Sequence, residues 1–454
     1  MTGSNGAAGT CRVVVLAPSR AGPAVLVRAA RPAATGPSTL DLPAVTTELE
    51  PDGPALVAAL EAALGPVTLL RANALEWNES FDATLMLAEV EALGTAPPPG
   101  LVWADLDVTA AAAIRPAQAR DPVVRWLAER DTGWSPLRPP WSRPGWAARA
   151  SAWMLEQMDT NGLHDAEPAT LVHMWGVSVV LSSRSPDGRA FLKCSCSIFR
   201  QEGGLTALLA ERTPDLVPEV LAVDHNEGWL LMRDLAGTGL GARPPQDWAA
   251  GLTAHATLQH AWQGRTGPLL DAGAPVRPLD ELAAWVRGLS GDDDLMHRLG
   301  PDLRAAWDAA CPALADSCLR LAEIGPPMTL VHGDLHPWNV SVDDSGVRIF
   351  DWTDAAVSHP FVDLVTYVLR APDEATRRAL LDGYLARWTD QLAPAQLRQA
   401  GELALVAGSL YQVRTYRTLL ASLLPDDRGS MRDGDVSWVR RSLRRLGHDL
   451  SGTY

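Results

Sequence analysis

TLVHGDLHPWNVSVDDSGVRIFDWTDAAVSHPFVDL, residues 329–364, breaks a region otherwise dominated by helical periodicity, and its chemistry decides the fold. Two short alternating strands, 339–342 and 347–350, flank the turn-forming run Asp343, Asp344, Ser345 and Gly346, the pattern of a β-hairpin. Pairing Val342 with Val347 sets Asn339 opposite Phe350 and leaves Asp351 one residue beyond, at the same open end. Facing or diagonal side chains in such a pair lie about 5 to 8 Å apart, so one cation could bind the Asn339 amide and the Asp351 carboxylate. Two protein oxygens leave most of the coordination sphere to water and phosphate, which is how Mg²⁺ is commonly held at nucleotides.

The rest of the chain bounds what this hairpin can serve. A length of 454 residues, 47% of them hydrophobic, suffices for about two or three domains. No run approaches the roughly 18 apolar residues of a membrane span, so no membrane partner is expected. The opening MTGSNGAAGTCRVVV lacks the basic region and apolar run of a signal peptide, and a cytoplasmic protein is the expectation. Cys11, Cys194, Cys196, Cys311 and Cys318 follow no zinc spacing and read as free thiols. The 39 Lys and Arg against 54 Asp and Glu give a net charge of −15, which argues against a nucleic-acid partner. The same balance leans towards a cationic ligand, with ordinary solubility as the simpler account. Every basic residue but Lys193 is arginine. A composition that biased should keep lysine where a compact ammonium on a slim stem is required, which marks Lys193 before any motif is considered.

Proline and glycine clusters at 97–100 and 135–145 divide the chain. Before them, strands at 11–16 and 24–29, a helix at 54–64, a strand at 67–71, a further apolar segment and LVWADLD form a small α/β unit. Trp134, Trp141, Trp146 and Trp153 straddle the second cluster and the helix after it, and read as residues packing one domain on another. From about 167 the pattern is β-rich, with a hairpin turning at Pro186, Asp187 and Gly188. A helix at 202–212 and the strand-like VPEVLAVD and WLLMRDL follow, and after 247 helical periodicity prevails. The expected organisation is a small α/β domain at 1–120, a Pro- and Trp-rich linker with a helix at 121–166, a β lobe at 167–240 and a helical lobe at 241–454.

Asp334 precedes Asn339 by the D-x-x-x-x-N interval with which a kinase catalytic loop sets its base beside a metal ligand. HGDLHPWN followed by IFDW resembles the aminoglycoside phosphotransferase and choline kinase family, over roughly residues 167–424. The resemblance implies an α+β, bilobal protein-kinase-like fold, with a small antiparallel β lobe and a large helical lobe. It implies that Asp334 accepts the proton of a substrate hydroxyl and that Asn339 and Asp351 hold Mg²⁺. His332 would brace the loop and Asp363 would support it. In the β lobe the resemblance puts Lys193 on the α and β phosphates of ATP, or GTP, with Glu202 as its ion-pair partner and Glu211 as the alternative. Ser178, in WGVS, would lie in the turn covering the phosphates, and the segment with Met232, Arg233 and Asp234 would bind adenine through its backbone.

Other residues carry plainer readings. His336 and His359 read as packed or turn residues, and His255 and His260 as helix-face residues. Asp354 is as much a helix cap as a substrate contact. Asp292, Asp293 and Asp294 read as a solvated run, as does the stripe Arg440, Arg441, Arg444 and Arg445. The order of elements in 11–115 resembles a Nudix fold whose metal-binding glutamates are replaced by Ala59, Ala62 and Ala63, which implies a packing, dimerisation or lid role without hydrolysis. The whole reads as a kinase phosphorylating a small-molecule hydroxyl, whether of an aminoglycoside, an amino sugar, a sugar or an amino alcohol. The alternative is a catalytically silent nucleotide-binding regulatory module. Oligomeric state is left open.

Overall fold

The computed structural model describes residues 10–19, 24–28, 39–48, 53–78, 82–92, 96–107, 109–235 and 237–447. These form two compact units, one of residues up to 197 together with 422–430, the other of 198–421 together with residues from 431 onward. Among the described residues no helix is long and apolar enough to cross a membrane.

The first unit holds a mixed four-stranded sheet in the order Ala44–Glu48, Thr10–Leu16, Ala83–Ala92, Val67–Trp77. Its central pair, Thr10–Leu16 with Ala83–Ala92, is parallel, and a strand buried on both faces must be apolar on both. CRVVVL meets that demand. Cys11, Val13 and Val15 pack with Leu56 and Leu60 of the helix Gly53–Leu64, whereas Val14 and Leu16 pack with Val123, Trp126 and Leu127 of the helix Arg120–Thr132. The short strands Leu40–Asp41 and Ala44–Glu48, absent from the sequence reading, are too brief to declare a period. Glu61 is the sole acidic residue of the Gly53–Leu64 helix.

In the same unit Trp141 and Trp146 are buried, and the Arg138 side chain is wholly buried between Glu89, at 2.5 Å, and Glu129, at 2.6 Å. Segment 422–430 is tied in by Asp427, which accepts from Arg71 at 2.8 and 3.0 Å and from Asn73 at 3.1 Å, and by Asp426 on Arg125 at 2.6 Å. The antiparallel strands Thr170–Met174, Ser178–Ser185 and Gly188–Ser195 complete the unit, with Ser185 facing Gly188 across the expected turn.

The second unit is mainly helical around one large core that includes Trp248, Trp262, Trp307, Trp352 and Trp388. Its helices start where the sequence supplies caps. Asp292 accepts from the Leu295 amide at 3.0 Å, and Asp373 from that of Thr376 at 2.7 Å. The element Asp293–Ile324 is two helices joined at Gly300, whose φ of +72° precedes Pro301, a residue suited to a first helical turn. Asp292 to Asp294 are not a merely solvated run. Arg417 takes Asp292 at 2.5 Å and Asp294 at 2.7 Å, and Arg298 joins them to the buried Asp435, because two guanidiniums nearby must be neutralised. The mixed helix-and-sheet class expected of the chain is the class observed.

Candidate active site

The hairpin forms in the predicted register. Val340–Asp343 pairs antiparallel with Gly346–Ile349, Val342 facing Val347, and the Phe350 amide donates to the Asn339 carbonyl at 3.0 Å. The turn is closed by the Asp343 carboxylate, which accepts from the Ser345 amide at 2.7 Å and the Gly346 amide at 3.1 Å. Asp351 then adopts φ +67°, a left-handed conformation uncommon outside glycine and most tolerated by Asn and Asp. Its Oδ1 accepts from the Thr353 hydroxyl at 2.9 Å.

The loop before the hairpin is braced from four sides. Asp363 receives the amides of His332 and Gly333, each at 2.8 Å, and His255 Nε2 lies 2.8 Å from the same carboxylate. Burial works to raise the Asp363 carboxyl, but the His255 hydrogen bond and the neighbouring His255 and His332 hold it below the usual carboxylate range. His332 is fully buried, and burial lowers its pKa. A neutral ring donates from Nε2 to the Phe350 carbonyl at 3.0 Å and accepts the Asp334 amide on Nδ1 at 3.3 Å. Gln412 donates to the Gly333 carbonyl at 2.5 Å. Asn339 donates from Nδ2 to the Asp334 carbonyl at 3.1 Å, which ties the two ends of the D-x-x-x-x-N interval and turns the amide oxygen the other way.

Gly333 has φ +85°, and a Cβ there would run into the Asp354 carbonyl oxygen. Gly333→Ala should therefore destabilise the protein by about 2 kcal/mol or more, measured by urea unfolding. An unchanged midpoint would mean that the loop has another way to lie.

Asp334 is recessed but remains open, its side chain 48% exposed. Its pKa is pushed up to about 7, first by the surrounding protein and then by the charges of Asp354 and Asp351, with Arg370 opposing. His336, with Nε2 3.9 Å from the Asp334 carboxylate, is lowered to about 4 by burial and stays neutral at pH 7. Trp338 stands half exposed on the loop, 5.9 Å centre to centre from Trp248.

The remaining predicted residues are placed within their own surroundings. Lys193 is buried on its strand opposite Val180. Glu202 is buried at the start of its helix, whereas Glu211 is exposed. The Ser178 hydroxyl accepts from Trp175 Nε1 at 2.8 Å. Met232 faces Val220, and Arg233 spends its amide on the Glu219 carbonyl at 3.0 Å and its guanidinium on the Glu219 carboxylate at 2.8 Å. Asp234 follows directly. His359 caps the turn at Phe361.

One residue read otherwise from the sequence belongs to this site. His255 is not simply a residue of a helix face but the buried partner of Asp363, and its place on the apolar stripe with Leu252 and Leu258 was the signal, since a polar group there needs a partner. Arg441 and Arg444 of the final helix are exposed, as expected of solvated charge, and the Arg441 guanidinium lies over the Trp438 ring, 4.9 Å from its centre.

A loop held by a buried histidine and aspartate, presenting one open carboxylate beside an amide and a second carboxylate, is the construction of a kinase-type phosphotransferase. Residues 197–400 match the model of the phosphotransferase enzyme family. The chain is accordingly a phosphotransferase with an alcohol group as acceptor. Among solved structures it is similar to a choline/ethanolamine kinase family protein from Mesorhizobium loti, at 19% identity over 66% of this chain and 95% of that one, TM-score 0.46. A macrolide 2′-phosphotransferase from Brachybacterium faecium shares 21% identity over 62% and 97%, TM-score 0.43. The choline kinase of Streptococcus pneumoniae shares 14% over 65% and 99%, TM-score 0.43. No curated protein matches the sequence.

Proposed function

We propose that the enzyme moves the γ-phosphoryl group of ATP, or GTP, to a hydroxyl of a small molecule, with Asp334 as the base and Asn339 and Asp351 as the ligands of Mg²⁺. The observation that carries this reading is the tie between Asn339 and Asp334, with Asp351 set beside them by the Phe350 amide on Asn339. Asp334 accepts the hydroxyl proton as the acceptor oxygen bonds to the γ phosphorus. The bond from that phosphorus to the bridging oxygen breaks, and the nucleoside diphosphate leaves with the electron pair.

The donor set fits a divalent cation that keeps most of its water and phosphate ligands. Among the described residues no three His, Cys, Asp or Glu gather to enclose an ion, and one amide oxygen with one carboxylate is the modest set Mg²⁺ takes at nucleotides. When bound, Mg²⁺ offsets charge on the phosphates. Lys193, buried and the sole lysine, supplies the compact cation for those phosphates, and buried Glu202 is the favoured partner over Glu211. The backbone at 232–234 and the turn at Ser178 complete the nucleotide contacts in this reading.

Lys193→Arg would be mild on a surface but should here lower nucleotide affinity or turnover by about tenfold, because the wider fork cannot take the ammonium's place. Kinetics equal to wild type would make the lone lysine an accident of composition. The raised pKa of Asp334 sets a pH dependence. Protonated Asp334 cannot accept a proton, so kcat/KM should fall as pH drops through about 7 in the free enzyme. A flat profile from pH 5 to 8 would remove Asp334 from the proton transfer. The reading as a whole is tested by assaying Mg²⁺-dependent nucleotide hydrolysis and screening a library of hydroxyl acceptors for phosphate esters.

A further inference from the structure

Arg71 and Asn73 stand two apart on the strand Val67–Trp77, so their side chains leave the same face of the first unit's sheet. Both end on one atom. Arg71 donates to Asp427 Oδ1 from Nε at 3.0 Å and from Nη2 at 2.8 Å, and Asn73 donates to it from Nδ2 at 3.1 Å. Among the described residues the carboxylate's hydrogen bonds go to this strand alone, its Oδ2 being buried without a partner. The pair of Arg125 with Asp426, more exposed, is the second anchor of the segment 422–430.

The backbone of the same Asp427 occupies the space a side chain at 176 would need. A Cβ on Gly176 would run into the Asp427 carbonyl oxygen and stand 2.9 Å from the Asp427 Cβ. Gly176 is not among the glycines of positive φ, so it is the close approach of Asp427, and not the turn's own conformation, that requires glycine here. Gly176 belongs to WGVS, the turn that joins the strands Thr170–Met174 and Ser178–Ser185. That turn is tightly closed. The Trp175 amide donates to the Ser178 carbonyl at 3.0 Å, Trp175 Nε1 to the Ser178 hydroxyl at 2.8 Å, and the Cys196 amide to the Val177 carbonyl at 2.7 Å. A turn bonded in this way shifts as one piece with whatever lies behind its glycine.

We propose that the N-terminal sheet is part of the nucleotide-binding machinery: through Arg71, Asn73 and Asp427 it fixes where the turn 175–178 lies, and so sets the affinity for the Mg²⁺–nucleotide. This rests on the phosphotransferase reading, in which that turn covers the phosphates, and it gives the first unit's α/β part a task in the reaction. Asp427 is a positioning residue, touching the turn and not the nucleotide. Its leverage is geometric, because donors to a phosphate work only when their supporting shell holds them within a fraction of an ångström of the productive place.

The test measures Mg²⁺–ADP binding to the full chain by calorimetry, with KM for ATP and kcat from nucleotide hydrolysis. Asp427→Ala and Gly176→Ala should each weaken ADP about tenfold, the scale of one hydrogen bond to a charged group. KM for ATP should rise with kcat within about twofold of wild type, the mark of lost ground-state binding. The double variant should lose about tenfold and not a hundredfold, since both changes undo one contact. Variants that unfold more readily yet bind ADP as wild type does would make Asp427 merely structural and overturn the proposal. So would losses that multiply in the double variant, or a loss confined to Gly176→Ala, which would leave the turn on the nucleotide and the sheet uninvolved. Hydrogen exchange of the wild type needs no substitution to fold. Coupling is reciprocal, so Mg²⁺–ADP should slow exchange in both 175–178 and 422–430, and protection of the turn alone would count against the proposal. Absence of Mg²⁺–ADP binding to the wild type would instead strike the phosphotransferase reading, and the two failures are thereby told apart.

Discussion

Asp334→Ala should lower the rate of phosphoryl transfer at least about a hundredfold while leaving nucleotide binding within a few-fold of wild type. The asymmetry follows from where the carboxylate sits. It is the open carboxylate of the loop, and its own amide, not its side chain, is part of the bracing. If Asp334 is the base proposed above, removing its carboxylate takes away the proton acceptor and the orientation of the hydroxyl, and leaves Asn339 and Asp351 in place. Because the transition state is largely dissociative, orientation makes up much of the loss. Single-turnover kinetics with a hydroxyl acceptor found by screening would measure it. An undiminished rate would mean another base or none.

The second large effect is on stability. Asp363→Ala should destabilise the helical unit by about 3 to 5 kcal/mol, the range for removing one partner from a buried charged network. The carboxylate satisfies the amides of His332 and Gly333 and faces His255, all buried, and alanine would leave these donors without an acceptor in a dry setting. Asp363→Asn, which keeps the shape and one acceptor oxygen, should lose less. Chemical unfolding of the two variants orders them. Equal stability of Asp363→Ala and wild type would show that His332, Gln412 and Asn339 suffice to brace the loop.

Local chemistry made the hairpin legible. Alternation, the Asp343 turn and a two-residue register fix each other, so Val342 meets Val347 as expected. Of the first unit's central pair, Thr10–Leu16 was legible from its VVV run, which is buried on both faces, whereas Ala83–Ala92 showed only as an apolar segment. What escaped depends on which distant element covers a given face. His255 and Asp363 are 108 residues apart, and periodicity shows that a helix has an apolar face without naming its neighbour. The run from Asp292 to Asp294 looks like solvated charge on paper, yet it meets Arg417. Nothing in 422–430 announces that it belongs with the first unit, because its anchors, Arg71 and Arg125, lie some 300 or more positions away.

Calorimetry of ATP binding with and without Mg²⁺, comparing wild type with Asp351→Asn, tests most directly whether Asn339 and Asp351 hold a metal-bound nucleotide. The expected result is tight binding by wild type that depends on Mg²⁺, weakened at least about tenfold in Asp351→Asn. Binding that is indifferent to Mg²⁺, or equal in the two proteins, would contradict the account.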